Sequence, residues 1–204
     1  RDLHSFPTRR SSYLWQTGTG CWNAPGRGAD PRAGERKREP AMSRGGDRTN
    51  AMRILDARGA AYEALSFPAS EAVSALEAAH LLGLEPEGLF KTLVTVGRTR
   101  NHYVFVVPAT GALDLRKAAR AVGEKSVEMV HSRELLPLTG YVHGGCSPVG
   151  MKKAFPTVID ASAERLGTIV VSAGRIGHQL RIPLEELRKA LEFTLADLIS
   201  GSAD

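Results

Sequence analysis

From Met52 onward, hydrophobic positions recur with regular periods. Asn50 reads as the N-cap of a helix through Arg58, stopped by Gly59. Ala61–Phe67 predicts a strand ended by Pro68. Val73, Leu76, Ala79 and His80 fall at helical spacing, which predicts a helix over Ser70–Leu82 with Gly83 as its C-cap. Pro86–Phe90 reads as a short helical turn. Lys91–Val96 and His102–Val107 predict two strands joined by a hairpin loop at Gly97–Asn101. Asp114 is placed to cap a helix through Val122, which Gly123 ends. Ser126–Val130 reads as a short strand and Glu134–Leu136 as a helical turn before Pro137.

After the glycine-rich stretch Gly140–Gly150, strands are expected at Thr157–Ile159, Thr168–Val171 and His178–Ile182. Pro183 opens a helix through Leu191, proline being tolerated in a first turn, and Leu195–Ile199 reads as a last helical turn. Strands thus come in adjacent runs with helices interleaved irregularly. That order favours an α+β fold with a mixed or antiparallel sheet over a doubly wound parallel one.

The first fifty residues break this pattern. They hold seven Gly, four Pro, both tryptophans and no sustained apolar period, so they cannot bury enough surface to offset the entropy of ordering. The expectation for residues 1–50 is a disordered or artefactual extension, with residues 51–204 as the domain. The opening Leu3-His4-Ser5-Phe6-Pro7-Thr8-Arg9-Arg10-Ser11-Ser12 looks like translated sequencing-adaptor DNA, and the native start is expected at Met42 or Met52. No apolar segment follows the basic residues as a secretory signal would require.

Charge sharpens this division. The net charge is +5, but residues 1–50 hold 10 Lys and Arg against 5 Asp and Glu, and residues 51–204 hold 17 of each. The domain is therefore neutral, and the basic total is no argument for general nucleic-acid affinity. With 42% hydrophobic residues there is material for one real core. No run of about 18 apolar residues exists to span a membrane, and two cysteines without a Cys-x-x-Cys pair exclude a disulfide scaffold or a structural zinc module. Six scattered histidines lack metal-ligand spacing, and the standard nucleophile-elbow, phosphate-loop and zinc-protease motifs are missing. No cofactor is expected.

Three segments carry candidate chemistry. In Phe90-Lys91-Thr92-Leu93 strand alternation puts Lys91 and Leu93 on one face. Either an ammonium sits among apolar groups, which is costly unless paired or used, or it snorkels to water from the strand's start. In Thr139–Gly150 a Gly144-Gly145 pair before Ser147-Pro148 is suited either to backbone N–H groups approaching a ligand or to an ordinary turn. Cys146 between them has no adjacent activating group and reads as a small buried thiol. Val171-Ser172-Ala173-Gly174-Arg175 is a strand end with a small-residue turn, a common seat of function and also a common β-turn.

Together Lys91-Thr92-Leu93, Thr139–Lys153, Thr157-Val158-Ile159-Asp160 and Thr168–Gly174 resemble, in order and spacing, the YbaK/EbsC family of free-standing aminoacyl-tRNA deacylases, relatives of the editing domain of prolyl-tRNA synthetases. The resemblance runs from about Met52 to Ile199. It implies a twisted mixed, largely antiparallel sheet approaching a barrel, with helices packed around it. It implies hydrolysis of cysteine wrongly esterified to proline tRNA. A pocket built for proline cannot strongly reject a side chain of similar size, because such differences are worth only about 1–3 kcal/mol, so a second site must clear the error.

By the same resemblance Lys91 is the functionally important lysine, followed by Thr92. Gly144, Gly145, Ser147 and Pro148 form a pocket wall, and Ser172 and Gly174 the last pocket turn. Phe67 stands where some members have Tyr, and Gln179 where some have Asp, which puts any carboxylate role there in doubt. The implied mechanism is attack by the substrate's own thiol, with N–H groups of Gly144 and Gly145 polarising the ester carbonyl. The implied partners are the tRNA acceptor end and prolyl-tRNA synthetase. No DNA or membrane partner is expected, and the lack of a disulfide pattern or export signal points to the cytoplasm. A basic rim of Lys152, Lys153, Arg175, Arg116, Lys117 and Arg120 is expected to grip phosphates. Two alternatives stay open: a deacylase for another mischarged tRNA such as Ala-tRNA(Pro), and a non-catalytic domain that binds tRNA or synthetase.

Overall fold

Hydrophobic alternation along two strand pairs organises the molecule. The computed structural model describes residues 48–69 and 71–200. The expectation for residues 1–47 lies outside them. Strand β2 (Phe90–Gly97) pairs antiparallel with β3 (His102–Pro108) along its whole length. The short β4 (Val127–Met129) pairs antiparallel with β2 only from Thr95 to Gly97. On the far side of β3 lie β5 (Thr157–Asp160) and β8 (Thr194–Ala196), both parallel, which completes a five-stranded mixed sheet in the order β4-β2-β3-β5-β8. The second sheet is antiparallel: β1 (Glu63–Ser66), β7 (His178–Pro183) and β6 (Thr168–Arg175) in the order β1-β7-β6.

Period-two burial assembles the core. Phe90, Val94, Val104, Val106 and Ile159 from one sheet meet Ile169, Val171, Leu180 and Ile182 from the other. Most are fully enclosed, each contributing about 1.5–3 kcal/mol by leaving water. Helix α1 (Asn50–Ala57) adds Ala51, Met52 and Leu55 to this core. The opposite face of the five-stranded sheet, with Tyr103, Phe105, Val107 and Val158, is covered by α3 (Leu115–Ala121) through Ala118 and Ala119. A third cluster joins α2 (Ala75–Leu82) to Phe67, Leu89 and Val170. The remaining helices are α4 (Ser132–Thr139), α5 (Ser162–Leu166) and α6 (Leu184–Arg188).

The α+β class holds, and four of the six strand pairings are antiparallel. The approach to a barrel does not hold, because the two sheets stay open. They touch through an isolated parallel bridge from Leu89 to Val170, from which β2 and β6 diverge.

Local capping corrects two boundaries. Thr49, not Asn50, caps α1, its hydroxyl accepting from the Met52 N–H at 3.3 Å. Helix α2 begins later than expected because Ser74 and Glu77 form a reciprocal capping box. Asp114 caps α3 as expected, accepting from Arg116 and Lys117 N–H groups. Leu195 and Ala196, expected to open a helical turn through Ile199, belong instead to strand β8: β5 takes one edge, and the Asp160 carboxylate accepts the Leu198 N–H at 2.9 Å. Helix α5 was not anticipated. Asp160 nucleates it by accepting from both the N–H and the hydroxyl of Ser162. Among the described residues no helix is long and apolar enough to cross a membrane.

Candidate active site

The opening between β2 and β6 holds a cavity of about 460 Å³, within the usual range for small-molecule sites. Its walls come from five places. Phe90–Val94 of β2 supply one side, and Ser172 and Gln179 the other. Met129, Val130, Ser132 and Leu135 close one end, Phe67 and the start of α2 the other, and His143, Gly144 and Cys146 cover it from the glycine-rich loop.

Lys91 is half-buried, and its ammonium donates to the Ala109 carbonyl at 3.3 Å. Burial holds the ammonium below the ordinary lysine range. Among the described residues no carboxylate lines the cavity, so Lys91 is the group of fixed positive charge in a wall without a counter-ion.

Thr92 stands out in the cavity lining for a different reason, which it shares with Thr95 outside that lining. Its hydroxyl is buried with no hydrogen-bond partner. The backbone of β2 explains what else it offers. The Val94 carbonyl accepts from Val130 and the Arg98 N–H donates to Ser126, so even-numbered residues turn their peptide groups away from β3. Since β4 pairs only from Thr95 on, the N–H and C=O of Thr92 face the gap as well. One residue thus presents a hydroxyl, a donor and an acceptor at an open strand edge.

Across the gap, Ser172 and Gln179 are register partners on β6 and β7. A bulge between Ser172 and Arg175 follows, and the Ser172 hydroxyl accepts from the Gly174 N–H at 3.3 Å. Gln179 is 7% exposed, so only an amide stands where a carboxylate was in question.

Six of the ten residues singled out from sequence line the cavity: Phe67, Lys91, Thr92, Gly144, Ser172 and Gln179. The other four shape the loop around it. Ser147 is fully buried and accepts from the Val149 N–H at 3.2 Å, and Pro148 is buried beside it. Gly145 abuts the backbone of Arg175 and Ile176, and its N–H donates to the Val142 carbonyl at 3.1 Å. This corrects the expected carbonyl-polarising pair, since the Gly145 donor is already committed to a turn. Gly174 (φ +92°) lies against the Tyr141 ring, where a Cβ would come within 2.6 Å. The Tyr141 hydroxyl donates to the Val149 carbonyl at 2.7 Å, which closes the loop on itself.

Cys146 is 8% exposed, and burial pushes its thiol up to about 11, with a Thr139 hydrogen bond pulling slightly the other way. It is a poor nucleophile at neutral pH, as expected. His143, also in the wall, was missed, because one histidine among six scattered ones gives no sequence signal. Among the described residues no three His, Cys, Asp or Glu side chains converge as a metal site.

Four of the six cations of the expected basic rim, Arg116, Lys117, Arg120 and Lys152, lie elsewhere or are engaged. Helix α3 lies on the far face of the five-stranded sheet, and its Lys117 is paired with Asp197 at 2.7 Å. Arg116 and Arg120 line a separate depression with Lys125. Lys152 turns back to the Leu136 carbonyl.

Known proteins resemble this chain over most of its described residues. Residues 69–190 match the model of the aminoacyl-tRNA editing domain. The chain is 45% identical over 141 residues to EbsC of Enterococcus faecalis, a candidate Cys-tRNA(Pro)/Cys-tRNA(Cys) deacylase, covering 69% of this chain and 86% of that protein. The crystal structure of a candidate trans-editing enzyme for prolyl-tRNA synthetase superposes with a TM-score of 0.65 at 31% identity, covering 74% of this chain and 96% of that one. A scaffold used for epitope backbone grafting gives 0.67 at 29% identity over the same shares. With the matched segment containing the cavity's lysine, its glycine loop and its paired Ser172 and Gln179, the chain belongs to the aminoacyl-tRNA editing domain family and is an aminoacyl-tRNA deacylase.

Proposed function

We propose that the chain clears cysteine from mischarged proline tRNA in trans, using the thiol of the substrate as nucleophile. The observation that carries this reading is a wall with a cation and an orphaned hydroxyl but, among the described residues, no carboxylate and no thiol other than the buried Cys146. Burial keeps the lining thiol, Cys146, protonated, which suits a substrate that brings its own thiol. A free cysteinyl thiol has a pKa near ~8.5, so about a few per cent is thiolate at neutral pH.

In this scheme the sulfur attacks the ester carbonyl carbon, and the bond from that carbon to the ribose oxygen breaks. The proton lost by the thiol ends on that oxygen. The released cysteine is a cyclic thioester, which water opens. Lys91 stabilises charge developing on the carbonyl oxygen, Thr92 orients the ester through its hydroxyl and open backbone edge, and Gly144 lets the chain approach closely. Phe67 and Gln179 shape the amino-acid end. The resemblance to a candidate prolyl-tRNA synthetase trans-editing enzyme supports that synthetase as the partner handing over the error, in the cytoplasm where it charges tRNA.

The test is deacylation of Cys-, Ser-, Ala- and Pro-charged proline tRNA by the full chain. Cysteine should be released fastest. Serine, which differs in having oxygen for sulfur, should be slower by about two orders of magnitude or more, given the greater nucleophilicity of sulfur. Equal rates for Cys and Ser would exclude thiol attack, and faster release of Ala would assign a different substrate.

A further inference from the structure

The main cavity has a neighbour at β4. It shares Val130 with a second groove of about 610 Å³, whose lining includes Val96, Arg100, His102, Glu134 and Lys153. That groove shares Arg100 and His102 with a third depression containing Tyr103, Phe155 and Pro156. Three concavities therefore run in series along the β2–β3 hairpin.

Their chemistry changes along the series. Arg100 and Lys153 are exposed, and neither has an ion-pair partner among the described residues, unlike Arg48, Lys117, Arg181 and Lys189. Arg100 is held in the left-handed region (φ 69°) at the hairpin turn, where its N–H donates to the Gly97 carbonyl. His102 and Phe155 form a tilted ring pair 6.0 Å apart, with His102 half-exposed. Cations beside a ring platform along adjoining grooves are how proteins hold single-stranded nucleic acid: phosphates on the cations, bases on the rings.

We propose that this groove seats the single-stranded 3′ end of the tRNA behind its terminal nucleotide. Arg100 and Lys153 bind phosphates, and a base stacks on His102 and Phe155. The proposal rests on the deacylase reading, which puts the esterified nucleotide in the main cavity. From Thr92 to Val96 the strand rises about 13 Å, the length of about four stacked nucleotides, so the groove lies where the next few would fall. Glu134 is the acidic group in the groove lining and opposes the phosphates.

The experiment measures binding of a fluorescent single-stranded RNA ending in CCA to the full chain by anisotropy, across a salt series. The groove variant is Arg100→Asn with Lys153→Gln, asparagine being chosen because it tolerates the left-handed backbone. The control removes the same charge elsewhere, Lys125→Gln with Arg165→Gln. The groove variant should bind about 10-fold more weakly, with its salt slope reduced by about 1.4, as losing two single-strand phosphate contacts requires. Glu134→Gln should tighten binding, and the control should change neither quantity. Thermal melting of each variant confirms folding. Equal weakening by the groove and control pairs, or no weakening by either, would overturn the proposal. The deacylase reading fails separately, as absence of turnover by the unmodified chain, whatever the RNA binding shows.

Discussion

The Lys91 ammonium donates to the Ala109 carbonyl at 3.3 Å, and this neutral acceptor is its partner in a cavity wall that has no carboxylate among the described residues. An ammonium held this way is poorly compensated for leaving water, and its pKa is lowered accordingly. A group kept at a cost to the fold is a candidate for function. Lys91→Met should cut deacylation at least ~10-fold, equivalent to ~1.4 kcal/mol of transition-state stabilisation, without lowering the melting temperature. Retained activity would remove Lys91 from the chemistry. A drop in melting temperature would show that the lysine serves the fold.

Cys146 makes a prediction about pH. Its folded pKa of about 11 exceeds its ordinary value of 9.0, so the folded state holds the proton more tightly. Its contribution to stability is complete below pH 9 and is lost as pH rises towards about 11. Tyr62 and Tyr141 are also raised by burial and titrate in the same direction. The comparison is therefore with Cys146→Ala, whose urea midpoint should fall less between pH 8.5 and 11. At neutral pH the same variant should keep most of its deacylase activity. A covalent aminoacyl-enzyme at Cys146 would contradict the proposed mechanism.

Elements with local signals were legible in the sequence. The hairpin of Lys91–Val107, the Asp114 cap and the β6–β7 pair need only neighbours to form. What was not legible depends on residues far apart. Leu195 and Leu198 have helical spacing, yet pairing with β5 pulls residues 194–196 into a strand. The split into two sheets follows from β2 and β6 diverging beyond Leu89 and Val170, and no local pattern encodes that. The site divides likewise. Lys91, Thr92 and Ser172 were marked by their motifs, whereas His143 and the Arg100–His102 groove exist only once β4, α4 and the glycine loop converge.

Gly144 tests that convergence. It has φ +79°, and an added Cβ would lie 2.5 Å from the Cβ of Ala72 in the segment leading to α2. Gly144→Ala must push the loop or this segment, and both border the cavity. Activity should fall ~10-fold or more, since a displacement of about 1 Å in a positioned site can cost two orders of magnitude. Adding Ala72→Gly removes the nearest clashing atom and should restore part of the loss, leaving only the backbone strain. No recovery in the double variant would mean that contact with Ala72 is not what limits the loop.

The N-terminal boundary of the domain can be placed by the same kind of comparison. Thr49 is 5% exposed and caps α1, Asn50 donates from its side chain to the Gly150 carbonyl at 3.0 Å, and Arg48 pairs with Asp56. These three residues belong to the fold, although composition grouped them with the preceding stretch. A chain beginning at Met52 loses the cap and the tie between α1 and the glycine loop. Loss of a threonine cap costs about 1 kcal/mol, and the Asn50 hydrogen bond about as much again. A chain beginning at Arg48 should keep both. The urea midpoints of the two truncated chains should therefore differ by an amount equivalent to about 2 kcal/mol. Asn50→Ala in the full chain should account for about half of that difference and should also slow deacylation, because Gly150 closes the loop that carries Gly144 and Cys146. Identical midpoints for the two truncations would place the boundary at Met52.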